Sequence, residues 1–158
     1  MNKTLTSIVM ASALALPAYA DGPSFNKEAQ KKPQVALSTE TKRGISMYVG
    51  SMPGSKNTQL QYHSYSGYNT STLTVAELKS DGSTFYTSYT VDDKEIIKYV
   101  SIMQLNKDDM FVKDVNFEND GNPVTKPLIV TEQKKYQQYM KNLDLAVKQY
   151  YTSAVKTK

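Results

Sequence analysis

Residues 94–116 constrain the fold most, because they carry two runs of alternating apolar residues separated by a turn. In the first run apolar residues fall on both sides of an extended chain, with Ile102 on one side and Met103 on the other. Residues 106–109 are a polar break, and residues 110–117 resume the alternation. Apolar residues on both faces are typical of a strand buried on both sides. This pattern predicts an antiparallel hairpin in the middle of a sheet.

Four more segments upstream alternate in the same way, so the sequence predicts an antiparallel meander of five or six strands. An Asp-Gly pair in residues 80–83 suits a tight hairpin turn, and a similar pair lies in residues 119–122. The upstream segments are residues 45–52, 59–66, 71–79 and 84–91.

The apolar period changes from two to about 3.6 after Thr131, which predicts one amphipathic C-terminal helix of about 25 residues packed on the sheet. Thr131 is a plausible N-cap, and residues 124–130, with Pro127 among them, are predicted to be an edge strand or an extended linker. The fold class is therefore α+β. The predicted apolar stripe consists of Tyr136, Tyr139, Met140, Leu143, Ala146, Val147, Tyr150 and Ala154.

The first twenty residues predict a signal peptide, with Lys3 near the start, an apolar core over residues 8–16 and cleavage after Ala20. A membrane anchor is the alternative, but the apolar core is shorter than the roughly 20 residues that span a bilayer. Residues 21–43 have prolines and charges without apolar period and predict a mobile leader. Residues 44–158 form the single predicted domain. The signal peptide predicts that the mature protein is periplasmic, secreted or at the cell surface.

The chain has no cysteine, so we expect a domain held by its core, with neither disulfides nor a lipid-modified cysteine. The formal net charge of +4 permits contact with acidic surfaces. Nucleic-acid binding is not expected, because it normally requires a denser basic cluster. No membrane span is expected after the signal peptide.

The residues offer little for catalysis, and the sequence predicts a protein that is not an enzyme. His63 is the only histidine, which leaves neither a nucleophile–base pair nor a metal site in view, and no cofactor motif is present. Asp92, Asp93 and Glu95 could supply a carboxylate pair, but they lie at a predicted turn, where solvated acids are common. Two acids about 5–10 Å apart in a pocket would revive a hydrolytic enzyme as an alternative.

Two features suggest binding. Lys134, Lys141 and Lys148, here called the lysine stripe, are seven residues apart and share one face of the predicted helix. Their i−4 positions include one acid, Asp144, which is predicted to pair with Lys148. The stripe is either an ordinary solvated face or a docking surface for an acidic protein. The second feature is a set of tyrosines that are expected to pack across strands, namely Tyr62, Tyr65, Tyr86 and Tyr99. The alternative is that some are exposed as interface anchors, and Tyr86 is the candidate for that role.

A sheet of six strands is about 29 Å wide, whereas one helix is about 10–12 Å across. One helix therefore covers a sheet face only if the sheet curls around it. The sequence offers no segment to cover the other face, which stays uncovered in this prediction. That face is either polar or covered by another chain, which makes a homodimer through the sheet face a further expectation.

The run over residues 99–124 resembles the bacterial surface-adhesin protein E family, in which strand, strand, glycine-containing turn and helix follow one another. The matching pieces are residues 100–105, 110–115 and 119–124. The resemblance implies a surface or periplasmic binding protein. The family's disulfide is absent here, since Asp108 and Asp109 stand near the expected cysteine position, and the lipid anchor of its founding protein is absent too.

We therefore expect an exported, non-enzymatic protein that acts by protein–protein contact. The alternative is a periplasmic inhibitor or immunity-type protein that blocks a specific enzyme.

Overall fold

The computed structural model describes residues 26–65 and 67–156, without the side chain of Lys27. The signal peptide predicted for residues 1–20 and the first five residues of the leader lie outside the described residues. The elements are α1 (Lys27–Lys31), β1 (Gln34–Ala36), β2 (Met47–Ser51), β3 (Thr58–Tyr65), β4 (Thr70–Leu78), β5 (Thr84–Val91), β6 (Ile97–Leu105), β7 (Phe111–Glu118) and α2 (Lys126–Lys156).

The seven strands form one antiparallel sheet in the order of the sequence, from β1 to β7. The α+β class and the antiparallel sheet are confirmed, whereas the count of five or six strands is wrong. The additional strand is β1, which lies in the predicted leader and pairs with β2. Its three residues are too few for a period to be recognised.

The hairpin over residues 94–116 lies at one end of the sheet, so its predicted position in the middle is wrong. β7 is the edge strand, and all of its residues except Phe117 are exposed. The apolar residues of a strand indicate which sides could be buried, but they do not determine how many strands lie beyond it.

Helix α2 packs across one face of the sheet. Cross-strand neighbours on that face include Tyr48, Tyr62, Leu73, Tyr89 and Val100, which form one row from β2 to β6. The helix contributes Ile129, Tyr136, Met140, Leu143, Ala146 and Val147 to the same core. The predicted apolar stripe is therefore confirmed for its central residues, whereas Ala154 near the C-terminus is exposed.

Helix α2 begins at Lys126, five residues before the predicted start at Thr131. Pro127 falls in the first turn, where the missing N–H has no helical partner in any case, so proline does not prevent the helix from forming there. Thr131 is not an N-cap, since its hydroxyl donates to the carbonyl of Pro127 at 3.0 Å within the helix.

Two polar side chains of α2 fasten it to the sheet. Glu132 is buried and accepts a hydrogen bond from the hydroxyl of Tyr89 at 2.9 Å. Its other carboxylate oxygen forms an ion pair with Lys135 at 2.7 Å. Gln133 accepts from the backbone N–H of Ile97 and donates to the carbonyl of Glu95, both at 2.9 Å. These contacts satisfy polar groups that would otherwise be costly to bury.

The second sheet face is polar at its centre, where Thr74 and Ser88 share a 2.8 Å hydrogen bond between hydroxyls. One end of this face is covered by α1. The side chain of Gln59 accepts from the backbone N–H of Asn26 and donates to its carbonyl, and Ala29 is fully buried. The leader therefore contributes a helix and a strand to the fold, where the sequence predicted no regular element.

Candidate functional site

The lysine stripe lies on the outer surface of α2. Lys134, Lys141 and Lys148 are all exposed, and among the described residues none of them takes part in an ion pair. The helical rise places Lys134 and Lys148 about 21 Å apart along the axis. The opposite side of the helix is anchored in the core by Met140 and Leu143. The stripe is thus a row of uncompensated positive charges on an immobilised helix.

The predicted pairing of Asp144 with Lys148 is wrong. A guanidinium nitrogen of Arg43 lies 2.8 Å from Asp144 Oδ1 and takes the place of the expected lysine. Periodicity within the helix could not reveal this partner, which is 101 residues away along the chain. Lys148 therefore has no ion pair with its i−4 residue, and in this respect it resembles the other two lysines.

Tyr86 does not offer the exposed anchor that was the alternative for this residue. Its side chain is 6% exposed and clusters with Ala76, and Leu78, Met103 and Leu105 pack against the pair. This environment is the cross-strand packing that the sequence favoured for Tyr86. Any binding surface that included Tyr86 would first require this cluster to open.

A cleft of about 440 Å³ lies beside the β3–β4 connection and the end of β5, and it was not foreseen from the sequence. It is bounded by the end of the leader, the β3–β4 connection, the β5–β6 turn and one turn of α2. Its lining includes Glu40, Thr41, Lys42, Arg43, Tyr62, Ser64, Tyr65, Gly67, Asn69, Thr70, Ser71, Val91, Asp92, Asp93, Glu95 and Tyr136. Four separate segments contribute, so no local motif marks this site.

Arg43 stands in the wall of the cleft and joins three parts of the chain. Its guanidinium donates to Glu95 of the β5–β6 turn, with Nε 2.8 Å from Oε1, and to Asp144 of α2. Partial burial opposes the charged form, but the two carboxylates outweigh it and raise the pKa of Arg43. One sequence signal could have identified this residue, because Arg43 is the single arginine among eighteen lysines. Only arginine offers a planar fork of donors to two carboxylates at once.

Two carboxylate side chains of the cleft, those of Asp92 and Glu95, are held by structural partners. Asp92 Oδ1 accepts from the backbone N–H groups of Lys94 and Ile96 at 2.9 and 3.0 Å, and Oδ2 lies 3.1 Å from Lys98 Nζ. The bond from Ile96, with the help of Lys98, lowers the pKa of Asp92. Glu95 is held by Arg43 and has a backbone φ of 63°, a left-handed conformation that is costly for this residue type. A general acid would need a raised pKa, and Asp92 has the opposite.

His63 is half-buried beside Tyr65, with the two ring centroids 6.4 Å apart and nearly stacked. Burial lowers the pKa of His63. Within the described ranges, no cluster of three or more metal-binding side chains is found. In the same residues, no helix is long and apolar enough to cross a membrane.

Comparison with family models, with curated proteins and with solved structures found no match to this chain.

Proposed function

We propose that the chain is an exported, non-enzymatic binding protein of surface-adhesin-like kind, which uses the lysine stripe to dock an acidic protein surface. The observation that carries the proposal is the exposure of three evenly spaced lysines that have no acidic partner among the described residues. Exposed charges of one sign accelerate encounter with a complementary surface and favour a correct orientation.

The rigidity of α2 supports the same proposal. Leu143, which is fully buried, and the bond between Glu132 and Tyr89 hold the helix on the sheet from the other side. A partner therefore does not have to order the backbone that carries the lysines, which lowers the entropic cost of association.

Two of the four acidic residues that line the cleft are engaged in structural contacts, which supports binding over catalysis. Asp92 and Glu95 are committed to a turn and to an ion pair, so neither is available as a proton donor in its present arrangement. The proposal therefore assigns no catalytic residue.

The test is the association rate with an acidic partner captured by the immobilised protein. Changing Lys134, Lys141 and Lys148 to Glu should slow association by at least about tenfold at low salt, and the wild-type rate should fall as salt rises. The matched control changes Lys56, Lys94 and Lys107 to Glu. These lysines are also exposed, and the control alters net charge by the same amount at positions outside α2.

Equal rates for the two triple variants would contradict a role for the stripe. The capture step also distinguishes the two kinds of binding protein. One partner held tightly would favour the inhibitor or immunity-type alternative, whereas several weakly held surface proteins would favour the adhesin-like kind.

A further inference from the structure

The outer edge of β7 is the only long strand edge without a partner strand in the described part of the chain. The sheet ends in β1 on one side and β7 on the other. β1 has three residues and follows Pro33, which makes it a poor template for further pairing. β7 has eight residues and contains neither proline nor glycine. β7 carries two common forms of edge protection, since Lys113, Asp114 and Glu118 are charged and the register of β7 against β6 shifts once near its start. No segment of the described chain covers its outer edge.

The free hydrogen-bonding groups of β7 can be assigned by alternation. The backbone N–H of Asn119, just beyond the strand, donates to the carbonyl of Lys98 in the direction of β6 at 2.9 Å. Residues of the same parity along β7 therefore bond toward β6. The backbone groups of Asp114, Asn116 and Glu118 consequently point away from the sheet and remain free to bond another strand.

Apolar side chains flank these free groups. Phe111, Val112 and Val115 are 61%, 49% and 50% exposed, which is unusual for three apolar residues within five positions of one strand. Apolar surface beside an open edge is characteristic of a surface that another strand covers.

We propose that β7 pairs antiparallel with β7 of a second copy of this chain, about a two-fold axis that passes through Val115. The proposal goes beyond the function proposed above and does not depend on the lysine stripe. Strands related in this way keep α2 of both copies on the same side of one continuous sheet, because the axis is perpendicular to the sheet.

The charges of β7 exclude several positions of the axis. An axis at Lys113 or Asp114 would place identical charges directly opposite each other, and an axis at Asn116 would place Asp114 opposite Glu118. Like charges in directly opposed positions are destabilising. An axis at Val115 avoids every such pair within the strand.

An axis at Val112 also avoids like charges, but it falls where the register of β7 against β6 shifts. It would also shorten the overlap between the two copies. With the axis at Val115, Asp114 of each copy lies opposite Asn116 of the other, and the outward backbone groups of both can exchange hydrogen bonds. Val115 then occupies a non-hydrogen-bonded position, where opposed side chains approach most closely.

Because the chain has no cysteine, one introduced thiol reports this geometry directly. Under mild oxidation Val115→Cys should form a disulfide-linked dimer at least about tenfold faster than Asn116→Cys, because cysteines with Cα atoms more than about 7 Å apart cannot be bridged without backbone movement. Asn116 is the matched control, since it is the exposed neighbour of Val115. In the proposed register it would lie diagonal to Asn116 of the second copy and not directly opposite it. Equal rates, or faster linkage at Asn116, would overturn the proposed register.

A second variant tests the pairing without a thiol. Asn116→Pro removes an outward N–H and spares the bonds to β6, and proline is tolerated on edge strands at such positions. In sedimentation equilibrium the wild-type protein should show a concentration-dependent dimer, and Asn116→Pro should be monomeric with unchanged circular dichroism. A wild-type protein that stays monomeric up to about 1 mM, or a proline variant that dimerises equally well, would refute edge pairing.

Discussion

Tyr89 illustrates how single side chains connect the sheet to the helix. Its ring packs edge-on against Tyr136, with the ring centroids 5.9 Å apart, and its hydroxyl donates to the buried Glu132. Burial, together with the Glu132 carboxylate, raises the pKa of Tyr89, so the hydroxyl keeps its proton and remains a donor. This bond gives a buried carboxylate a second partner besides Lys135.

Tyr89→Phe should therefore lower the free energy of unfolding by about 1–3 kcal/mol, because a Glu132 oxygen would stay buried without a donor. Urea unfolding of the two proteins measures the difference. Tyr139→Phe is the matched control, since this partly buried tyrosine has no hydrogen bond to its hydroxyl among the described residues. A loss at Tyr89 no larger than that at Tyr139 would contradict the importance of the bond.

His63 should make the stability depend on pH. Because burial lowers the pKa of His63 from its ordinary 6.5, a proton binds the unfolded chain more readily than the folded one. Stability from this group is complete above about pH 6.5 and decreases as the pH falls toward the folded-state pKa. In the His63→Gln variant, the midpoint of urea unfolding should change less with pH over that window. Asp81 and Asp92 do not affect the pH dependence in that window. Their pKa values are lowered from the ordinary 3.8, so these groups change protonation at more acidic pH.

At the scale of the elements, the apolar face of α2 should contribute most of the free energy that is gained when the helix packs on the sheet. Leu143 is completely buried, so Leu143→Ala should cost about 2–5 kcal/mol in denaturant unfolding. Leu145→Ala removes the same atoms from a residue that is 45% exposed and should cost less than about 0.5 kcal/mol. Similar losses at the two positions would mean that the helix is not docked as described.

The elements with strong local signals were predictable from the sequence. Six strands and the core of α2 follow from apolar periods and from turns such as the one at Gly82, whose φ of 84° suits glycine. The start of α2 was missed because Pro127 indicates extended chain in most contexts, although the first helical turn accepts it. β1 was missed because a strand of three residues depends on its partner β2 and has too few side chains to show a pattern.

At the scale of the whole molecule, the sites were less predictable than the fold because they combine distant segments. The lysine stripe was visible as a seven-residue spacing within one helix, and the exposure of its three members agrees with that pattern. The cleft and the links of Arg43 to Glu95 and Asp144 were invisible, since they require the tertiary fold. Tyr86 was placed correctly on β5, but its burial depends on neighbouring strands.

The leader offers a test of where the cooperative unit begins. A chain that starts at Asn26 retains the bonds to Gln59, the β1–β2 ladder and the ion pairs of Arg43, whereas a chain that starts at Gly44 loses all three. We expect the shorter chain to unfold at a clearly lower urea concentration with a single transition. Equal midpoints would instead support the mobile leader that the sequence predicted for residues 21–43.

The order of the strands also has a consequence for how the chain is made. Because every strand pairs with its neighbour in sequence, each hairpin can form as soon as it emerges from the ribosome, and topologies with such local contacts fold quickly. The apolar sheet face, however, waits for the last element to be synthesised, since α2 supplies its cover. A nascent chain arrested before Lys126 would present that face to solvent and should be recognised by chaperones as an aggregation-prone intermediate.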